Sequence, residues 1–150
     1  MKENVKLKLI DNEQGYLGLM LRKANNAYRN KVEKTLKKKK ITASQFSILS
    51  AISSFPMSSN AEIARIAHLT PQTVNLMVNK LHKENALKKS KHSQNKLVQL
   101  LEITDHGEKL LQESNELILN SLDKKLDFEF TKEELAIVRK WLCKVIEDDE

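Results

Sequence analysis

The sequence predicts a mostly α-helical protein with one small β-hairpin. Apolar residues recur at helical spacing through most of the 150-residue chain, and only residues 87–103 carry the signature of two short strands. Three glycines and two prolines leave few turns, which favours helices joined by short connections. A chain of this length is expected to form one domain with its own core.

Two helices are predicted in the first part of the chain. From about Glu13, apolar residues recur at helical spacing as far as Leu36, and the pattern ends in the lysine run 37–40. Thr42 begins a second helix, which ends before Pro56. The lysine run lies between the two helices and is interpreted as a solvated charge cluster.

The next stretch predicts two short helices joined by a tight turn. Ser59 precedes Glu62 at the capping-box spacing that marks a helix start. Thr70 can cap the second helix, with Pro71 at its first position, where a missing N–H costs nothing. The apolar stripe of the second helix comprises Val74, Met77, Val78 and Leu81. Its other face is polar, basic and rich in amides, which is typical of a DNA-reading helix-turn-helix.

A hairpin follows the second short helix. Residues 87–91 and 97–103 are the predicted strands, and a hairpin at this place is a wing. With the wing, nearly the whole chain resembles the MarR family of winged-helix transcriptional regulators. The segments that carry the resemblance are AEIARIAHLTPQTVNLMVNKLHKENAL, LEITDHG after the wing, and LRKANNAYR and ITASQF before the helix-turn-helix.

Two more helices are predicted after the wing, one capped by Thr104 and one by Thr131. The long terminal helices are more apolar than a small winged unit can cover, so we expect them to pack against a second copy. The resemblance implies the same homodimer, with interleaved terminal helices. We therefore predict a single domain over residues 1–150. Its dimerisation part is residues 13–38 and 104–148, and its winged helix-turn-helix DNA-binding part is residues 42–103.

Four residues of the second short helix are the predicted base readers: Gln72, Thr73, Asn75 and Asn79. Amide side chains can pair bidentately with adenine, and threonine can bond a base or contact a thymine methyl. The alternative is that these residues only solvate an exposed helix face. Thr70 and Pro71 are expected mainly to set the helix start, where a phosphate is also favoured. Further candidates for backbone contacts are Lys80, Lys83, Ser44 and Gln45.

The chain departs from the family pattern at two places. Leu76 stands where an arginine is common, and it is either buried against a neighbour or available to thymine methyls. In the wing, Asn95 stands at an acidic position, and Lys96 or Leu97 stands at an arginine position. Lysine lacks the planar guanidinium, so it reads the minor groove less well. The candidate wing contacts are Lys91, His92, Asn95 and Lys96, with simple surface exposure as the equal alternative.

The resemblance also implies release from DNA by a small aromatic or phenolic acid bound between the dimer helices and the winged lobe. The candidate residues for such a pocket are Tyr16, Arg22, Tyr28 and Phe46. The simpler interpretation places the three aromatic side chains in the core and pairs Arg22 with a carboxylate.

Composition restricts the function further. The net charge of +6 fits a polyanionic partner such as nucleic acid, or a charged membrane surface. No apolar run approaches the ~20 residues that span a bilayer, and the N-terminus lacks the apolar segment of a signal peptide. The single cysteine, Cys143, fits a reducing compartment, the cytoplasm. Dispersed histidines and the missing glycine loop and nucleophile motif predict no metal, no cofactor and no catalysis.

Together these observations predict a sequence-specific, double-stranded DNA-binding transcriptional regulator. It is expected to be a homodimeric repressor of a palindromic operator, released by a small-molecule ligand. An alternative of another class is a degenerate winged-helix module that binds a protein partner and has weak or no specific DNA binding. The missing arginines at Leu76 and in the wing keep this alternative open.

Overall fold

The computed structural model describes residues 17–147. Over this range the helices are α1 (Leu17–Leu36), α2 (Ala43–Ser54), α3 (Asn60–Ile66), α4 (Pro71–Lys83), α5 (Asp105–Ile118), α6 (Lys124–Asp127) and α7 (Lys132–Ile146). A 3-10 turn at Lys37–Lys39 follows α1, and a π-helical segment at Leu119–Asp123 joins α5 to α6. Strands β1 (Ser58–Ser59), β2 (Leu87–Lys91) and β3 (Gln99–Ile103) form an antiparallel sheet in the order β1-β3-β2. The predicted mostly helical class with a small hairpin is confirmed.

Side-chain caps begin the helices where the sequence predicts them. Thr42, Ser59 and Thr131 each open a capping box with the residue three positions later. Thr70 caps α4 and Thr104 caps α5, each by accepting an amide of the first helical turn. Local hydrogen bonding therefore fixes these five boundaries.

The turn between α3 and α4 directs one side of α4 into the core. His68 occupies the left-handed region of the turn with φ 51°, and the Leu69 amide donates to the Ala64 carbonyl at 3.0 Å. Helix α4 then packs against α2 and β2. The stripe residues that are fully buried there are Val74, Val78 and Leu81. The opposite face of α4 is consequently left to solvent.

The core lies mainly within the winged unit. Its largest fully buried apolar side chains are Leu36, Ile48, Leu49, Ile52, Ile63, Leu81, Leu87 and Leu101. These residues come from the end of α1, from α2 to α4 and from the sheet. The winged unit is thus stabilised by apolar burial. Helix α1 contributes only its C-terminal end to this core.

The helices outside this core leave much apolar surface uncovered. No residue of α7 is fully buried, and its exposed apolar residues are Ile137, Val138, Trp141, Leu142, Val145 and Ile146. Leu17 and Met20 on α1 and Leu119 and Leu126 around the π segment are also exposed. Leu119 and Leu126 line one depression together with Val138 and Leu142 of α7. An exposed group of apolar side chains of this kind indicates a contact surface.

Three details differ from the sequence-based expectations. Strand β1 was not expected, because two serines that pair with Leu101 and Leu100 carry no alternating pattern. Strand β3 begins at Gln99, two residues later than predicted. The helix after Thr104 contains the π-helical segment, which apolar periodicity does not reveal.

The lysine run is not wholly solvated. Lys39 Nζ lies 2.7 Å from Glu113 Oε2 on α5, and both side chains are partly covered. The hydrogen bond from Lys39, together with its positive charge, holds the pKa of Glu113 below its ordinary value. The end of α1 is thereby tied to the long helix, which is a structural role for one member of the run.

Candidate nucleic-acid interface

The exposed face of α4 carries most of the predicted DNA-contacting residues. Gln72, Asn75 and Asn79 are exposed, and their spacing places them along one side of the helix. Lys80 and Lys83 are exposed on the same helix. This arrangement is a polar, basic helix surface next to a hairpin.

Leu76 lies on this surface rather than in the core. Its side chain is 65% exposed. Of the two alternatives for this position, burial against a neighbour is therefore wrong. An exposed leucine on a polar helix face can contact thymine methyl groups in a major groove.

The two asparagines of this face are held by neighbouring residues. Asn60 Nδ2, at the start of α3, donates to Asn75 Oδ1 at 2.6 Å. Lys89 Nζ, on β2, donates to Asn79 Oδ1 at 2.5 Å. These contacts connect α4 to α3 and to the first strand of the hairpin. Sequence reasoning missed Asn60 and Lys89, because no local pattern relates them to residues 15 and 10 positions away.

Thr73 is oriented toward the helix start. Its hydroxyl oxygen lies 2.8 Å from Thr70 Oγ1, which also accepts the Thr73 amide proton. Thr73 is half-buried, unlike the exposed amide residues of the same helix. Its hydroxyl therefore takes part in capping α4, alongside any contact it makes with DNA.

The loop between β2 and β3 is ordered by its own side chains. The amides of Gln94 and Asn95 donate to His92 Nδ1 at 3.2 and 3.3 Å, and the Leu97 amide donates to Asn95 Oδ1 at 3.1 Å. Leu97 is 93% exposed, and Lys96 beside it is also exposed. Two of the predicted wing residues, His92 and Asn95, therefore shape the loop that presents Lys96 and Leu97.

Positive charge is concentrated in α4 and the hairpin. Between Thr70 and Gln99 the sequence has six lysines against one glutamate. The rest of the chain has 20 lysines and arginines against 19 aspartates and glutamates. Nearly all of the net charge of +6 thus lies in this one segment. Such a localised basic surface is the electrostatic signature of a polyanion-binding site.

The prediction for Gln45 as a backbone contact is wrong. Its side chain is 1% exposed, and its Oε1 accepts the Thr42 amide at 2.9 Å in the capping box of α2. Ser44, beside it, is half-buried and lines a depression with Asn26 and Asn30 of α1. At the start of α2, Gln45 therefore caps its own helix and is not available for contact with the DNA backbone.

A second feature, a cavity of about 470 Å³, lies between α1, α2, α5 and the α3–α4 turn. Tyr28 and Phe46 both line it, as predicted for the ligand pocket, whereas Arg22 does not contribute to its wall. The fourth predicted pocket residue, Tyr16, lies outside the described residues. The polar residues that line the cavity and that sequence reasoning missed are Asn25, Arg29, Ser47, His68, Asn115 and Asp123.

Tyr28 is not a core residue, because 39% of it is exposed. Its hydroxyl donates to Asp123 Oδ1 at 3.0 Å. Burial, together with this hydrogen bond and the nearby carboxylate charges, raises the pKa of Tyr28 to about 12. The phenol is therefore neutral and acts as a hydrogen-bond donor at physiological pH.

Two negative observations concern residues 17–147. No cluster of three or more histidine, cysteine, aspartate or glutamate side chains with a metal-binding arrangement occurs in this range. No helix within it combines the length and apolar character needed to cross a membrane.

Comparison with known proteins relates this geometry to one family. Residues 41–96 match the model of the MarR family, which confirms the resemblance seen in the sequence. No curated protein sequence matches the chain.

Solved structures share its fold. Wild-type MarR from E. coli in its apo form aligns with a TM-score of 0.80 at 21% identity, covering 91% of this chain and 100% of that one. The transcriptional repressor CouR, bound to a 23-mer DNA duplex, gives 0.77 at 17% identity, with 91% and 99% coverage. Bordetella bronchiseptica BpsR, whose DNA binding is regulated by 6-hydroxynicotinic acid, gives 0.77 at 20% identity, with 89% and 100% coverage.

Proposed function

We propose that this chain, whose residues 41–96 match the model of the MarR family, is a sequence-specific, double-stranded DNA-binding transcriptional regulator. It acts as a homodimeric repressor at a palindromic operator in the cytoplasm and has no enzymatic activity. In this proposal residues 42–103 bind DNA, and residues 13–38 and 104–148 form the dimer, as the sequence predicts.

The observation that carries this proposal is the coincidence of geometry and charge on α4 and the wing. The exposed amides Gln72, Asn75 and Asn79 share a helix face, and the segment around them holds nearly all of the net positive charge. Base edges are read by such amides, and phosphates are bound by such lysines. In this assignment Lys80 and Lys83 contact the backbone, together with Lys91 and Lys96 of the wing.

The exposed apolar surface of α1, α7 and the π segment supports the homodimer. This surface is exposed in the protomer, and a second copy related by a two-fold axis would cover it on both subunits. Two winged units would then face half-sites about 10 base pairs apart, or one helical turn. Occupancy of a promoter by such a dimer blocks transcription.

The position of the 470 Å³ cavity supports the proposal of release by a ligand. Its wall joins α1 and α5 to His68 in the turn that orients α4. A small aromatic acid bound beside Phe46 and Arg29 would therefore bear on the angle between the dimer helices and the winged unit. Such a ligand lowers DNA affinity only if it binds the DNA-incompatible arrangement more tightly. BpsR, with the same fold, is regulated by an aromatic acid of this kind.

The test is selection of binding sites by the purified protein from a random duplex pool near physiological salt. We expect an inverted repeat with half-sites about 10 base pairs apart. Affinity for that site should fall steeply as salt rises, because each neutralised phosphate releases counterions. Recovery of only weak, sequence-blind binding would overturn the proposal and favour the protein-partner alternative.

A charge reversal locates the interface. Replacing Lys80 and Lys83 by glutamate should reduce operator affinity by at least about 100-fold, because two phosphate contacts become repulsive. The matched control replaces Lys125 of α6 and Lys140 of α7, which are exposed lysines outside α4 and the hairpin. Equal losses in both double variants would assign binding to overall charge rather than to α4.

A further inference from the structure

Two asparagines on the exposed face of α4 have their side-chain oxygens occupied within the protomer. Asn79 Oδ1 accepts from Lys89 Nζ at 2.5 Å, and Asn75 Oδ1 accepts from Asn60 Nδ2 at 2.6 Å. An amide pairs bidentately with adenine only when its oxygen accepts from the N6 amino group while its nitrogen donates to N7. An amide oxygen has a second lone pair, but when it is turned toward a partner on α3 or β2 it no longer lies beside its NH₂ group at a base edge. The NH₂ group is then the end of the amide that is left for DNA.

The chemistry of the partners fixes these orientations. A lysine ammonium only donates, so the atom of Asn79 that faces Lys89 is the oxygen. In the asparagine pair the buried atom without a partner among the described residues is Asn60 Oδ1. Turning both amides around would bury an unpaired NH₂ group there, and unpaired donors are rarer in proteins than under-satisfied oxygens.

We propose that Asn75 and Asn79 read bases as hydrogen-bond donors only and that each selects guanine over adenine. This inference rests on the proposed DNA-binding function and specifies its base preference. Guanine presents two adjacent acceptors, O6 and N7, in the major groove, and an NH₂ group can donate to both. Adenine presents an amino donor beside its N7, which repels the same NH₂ group. Asn60 and Lys89 are the positioning residues.

This proposal changes the expectation from sequence. Adenine was the anticipated partner of the amides, because a free asparagine can turn either end toward DNA. The two intramolecular hydrogen bonds remove that freedom. The predicted half-site accordingly contains guanine at the base pairs that face Asn75 and Asn79.

The experiment compares base preferences of variants at the selected operator. Asn79→Ala identifies the base pair that Asn79 contacts, because preference at that position alone becomes flat. There the native protein should favour guanine over adenine by about tenfold or more. Replacing this guanine by 7-deazaguanine, which lacks the N7 acceptor, should weaken binding of the native protein and leave Asn79→Ala unaffected.

Removing the lysine that donates to Asn79 Oδ1 should alter the base preference at the base pair that Asn79 contacts. In Lys89→Met the freed Asn79 oxygen can accept from adenine N6, so discrimination against adenine at that base pair should be lost. The control is Lys88→Met, which removes the same charge from an exposed neighbour on the same strand. It should lower affinity without changing the preferred base.

The Asn60–Asn75 pair allows a substitution that should reverse the orientation of the Asn75 amide. An aspartate only accepts, so Asn60→Asp should turn the NH₂ of Asn75 inward and its oxygen toward DNA. The base preference at that position should then move from guanine to adenine or cytosine, which carry amino donors.

Two outcomes count against the proposal, and they are distinguishable. If the native protein selects adenine at the positions located by the alanine variants, donor-only reading is wrong while the regulator function stands. If no sequence is selected at all, the proposed function and this inference are both overturned.

Discussion

Tyr28 and Asp123 connect α1 to the π-helical segment, with the Tyr28 hydroxyl donating to Asp123 Oδ1 at 3.0 Å. Both residues line the 470 Å³ cavity and also a second cavity of about 640 Å³ beside α7. The hydrogen bond therefore lies between the proposed ligand cavity and the apolar surface proposed for dimerisation. π-Helical turns are often found at functional sites, and here the turn supplies the carboxylate.

The Tyr28–Asp123 contact predicts a loss of stability at alkaline pH. The folded-state pKa of Tyr28 is about 12, above the ordinary value of 10.0. Because the unfolded chain loses this proton first, the free energy of unfolding should fall as pH rises from about 10 to about 12. The fall should be smaller in Tyr28→Phe, which keeps the ring and removes the titrating group. Urea unfolding at a series of pH values checks this.

The other tyrosine, Tyr16, is common to both proteins, so Tyr28 is the one tyrosine that differs. Lysines also titrate in this range, but they are common to both proteins. An equal loss of stability in the two proteins would show that Tyr28 does not titrate as described.

Replacing Gly107 by alanine should destabilise the protein strongly, although the change adds only one methyl group. A Cβ at this position would lie 1.9 Å from the Ala86 carbonyl oxygen, at the junction of α5 with the hairpin. That oxygen also accepts the Thr104 amide, so it cannot move freely. Gly107→Ala should lower the free energy of unfolding by about 1–3 kcal/mol, measured by urea unfolding.

Gly18 is the matched control for Gly107. It lies in α1, and a Cβ there has no neighbour within 4 Å among residues 17–147. Gly18→Ala should therefore raise stability slightly, by about 0.5–1 kcal/mol at most, through its effect on the helix. Similar effects of the two alanine substitutions would contradict the close packing at Gly107.

An arginine in the wing should increase the affinity for operator DNA. Leu97 is 93% exposed next to Lys96, and the resemblance places an arginine at one of these two positions. A guanidinium is less strongly hydrated than an ammonium and is favoured in narrow minor grooves. Leu97→Arg should strengthen operator binding several-fold and increase the salt slope by about one.

Leu97→Gln is the uncharged control for this change, and it should not reproduce the gain. Affinity and salt slope are measured by fluorescence anisotropy on the selected operator. Unchanged binding of Leu97→Arg would mean that the wing does not reach the minor groove.

Local patterns predicted much of the fold, whereas contacts between distant residues did not follow from them. The starts of α3, α4 and α7 were predictable because cap and partner are three residues apart. The same spacing joins Thr42 to Gln45, so the capping box of α2 was a readable signal against a DNA contact by Gln45. No such signal exists for Asn60 with Asn75, because only tertiary folding brings these two residues together.

The exposed face of α7 predicts that dimerisation and operator binding are lost together. Val138 and Val145 are 51% exposed in the protomer and lie seven residues apart on one side of the helix. Changing both to glutamate should yield a folded monomer, since each charge would have to be buried in a dimer without a partner. Sedimentation should show the monomer, and operator affinity should fall to that of a single half-site. Lys140→Glu, an exposed change on the same helix, should leave both properties nearly unchanged. A persistent dimer in the double variant would exclude this face of α7 from the interface.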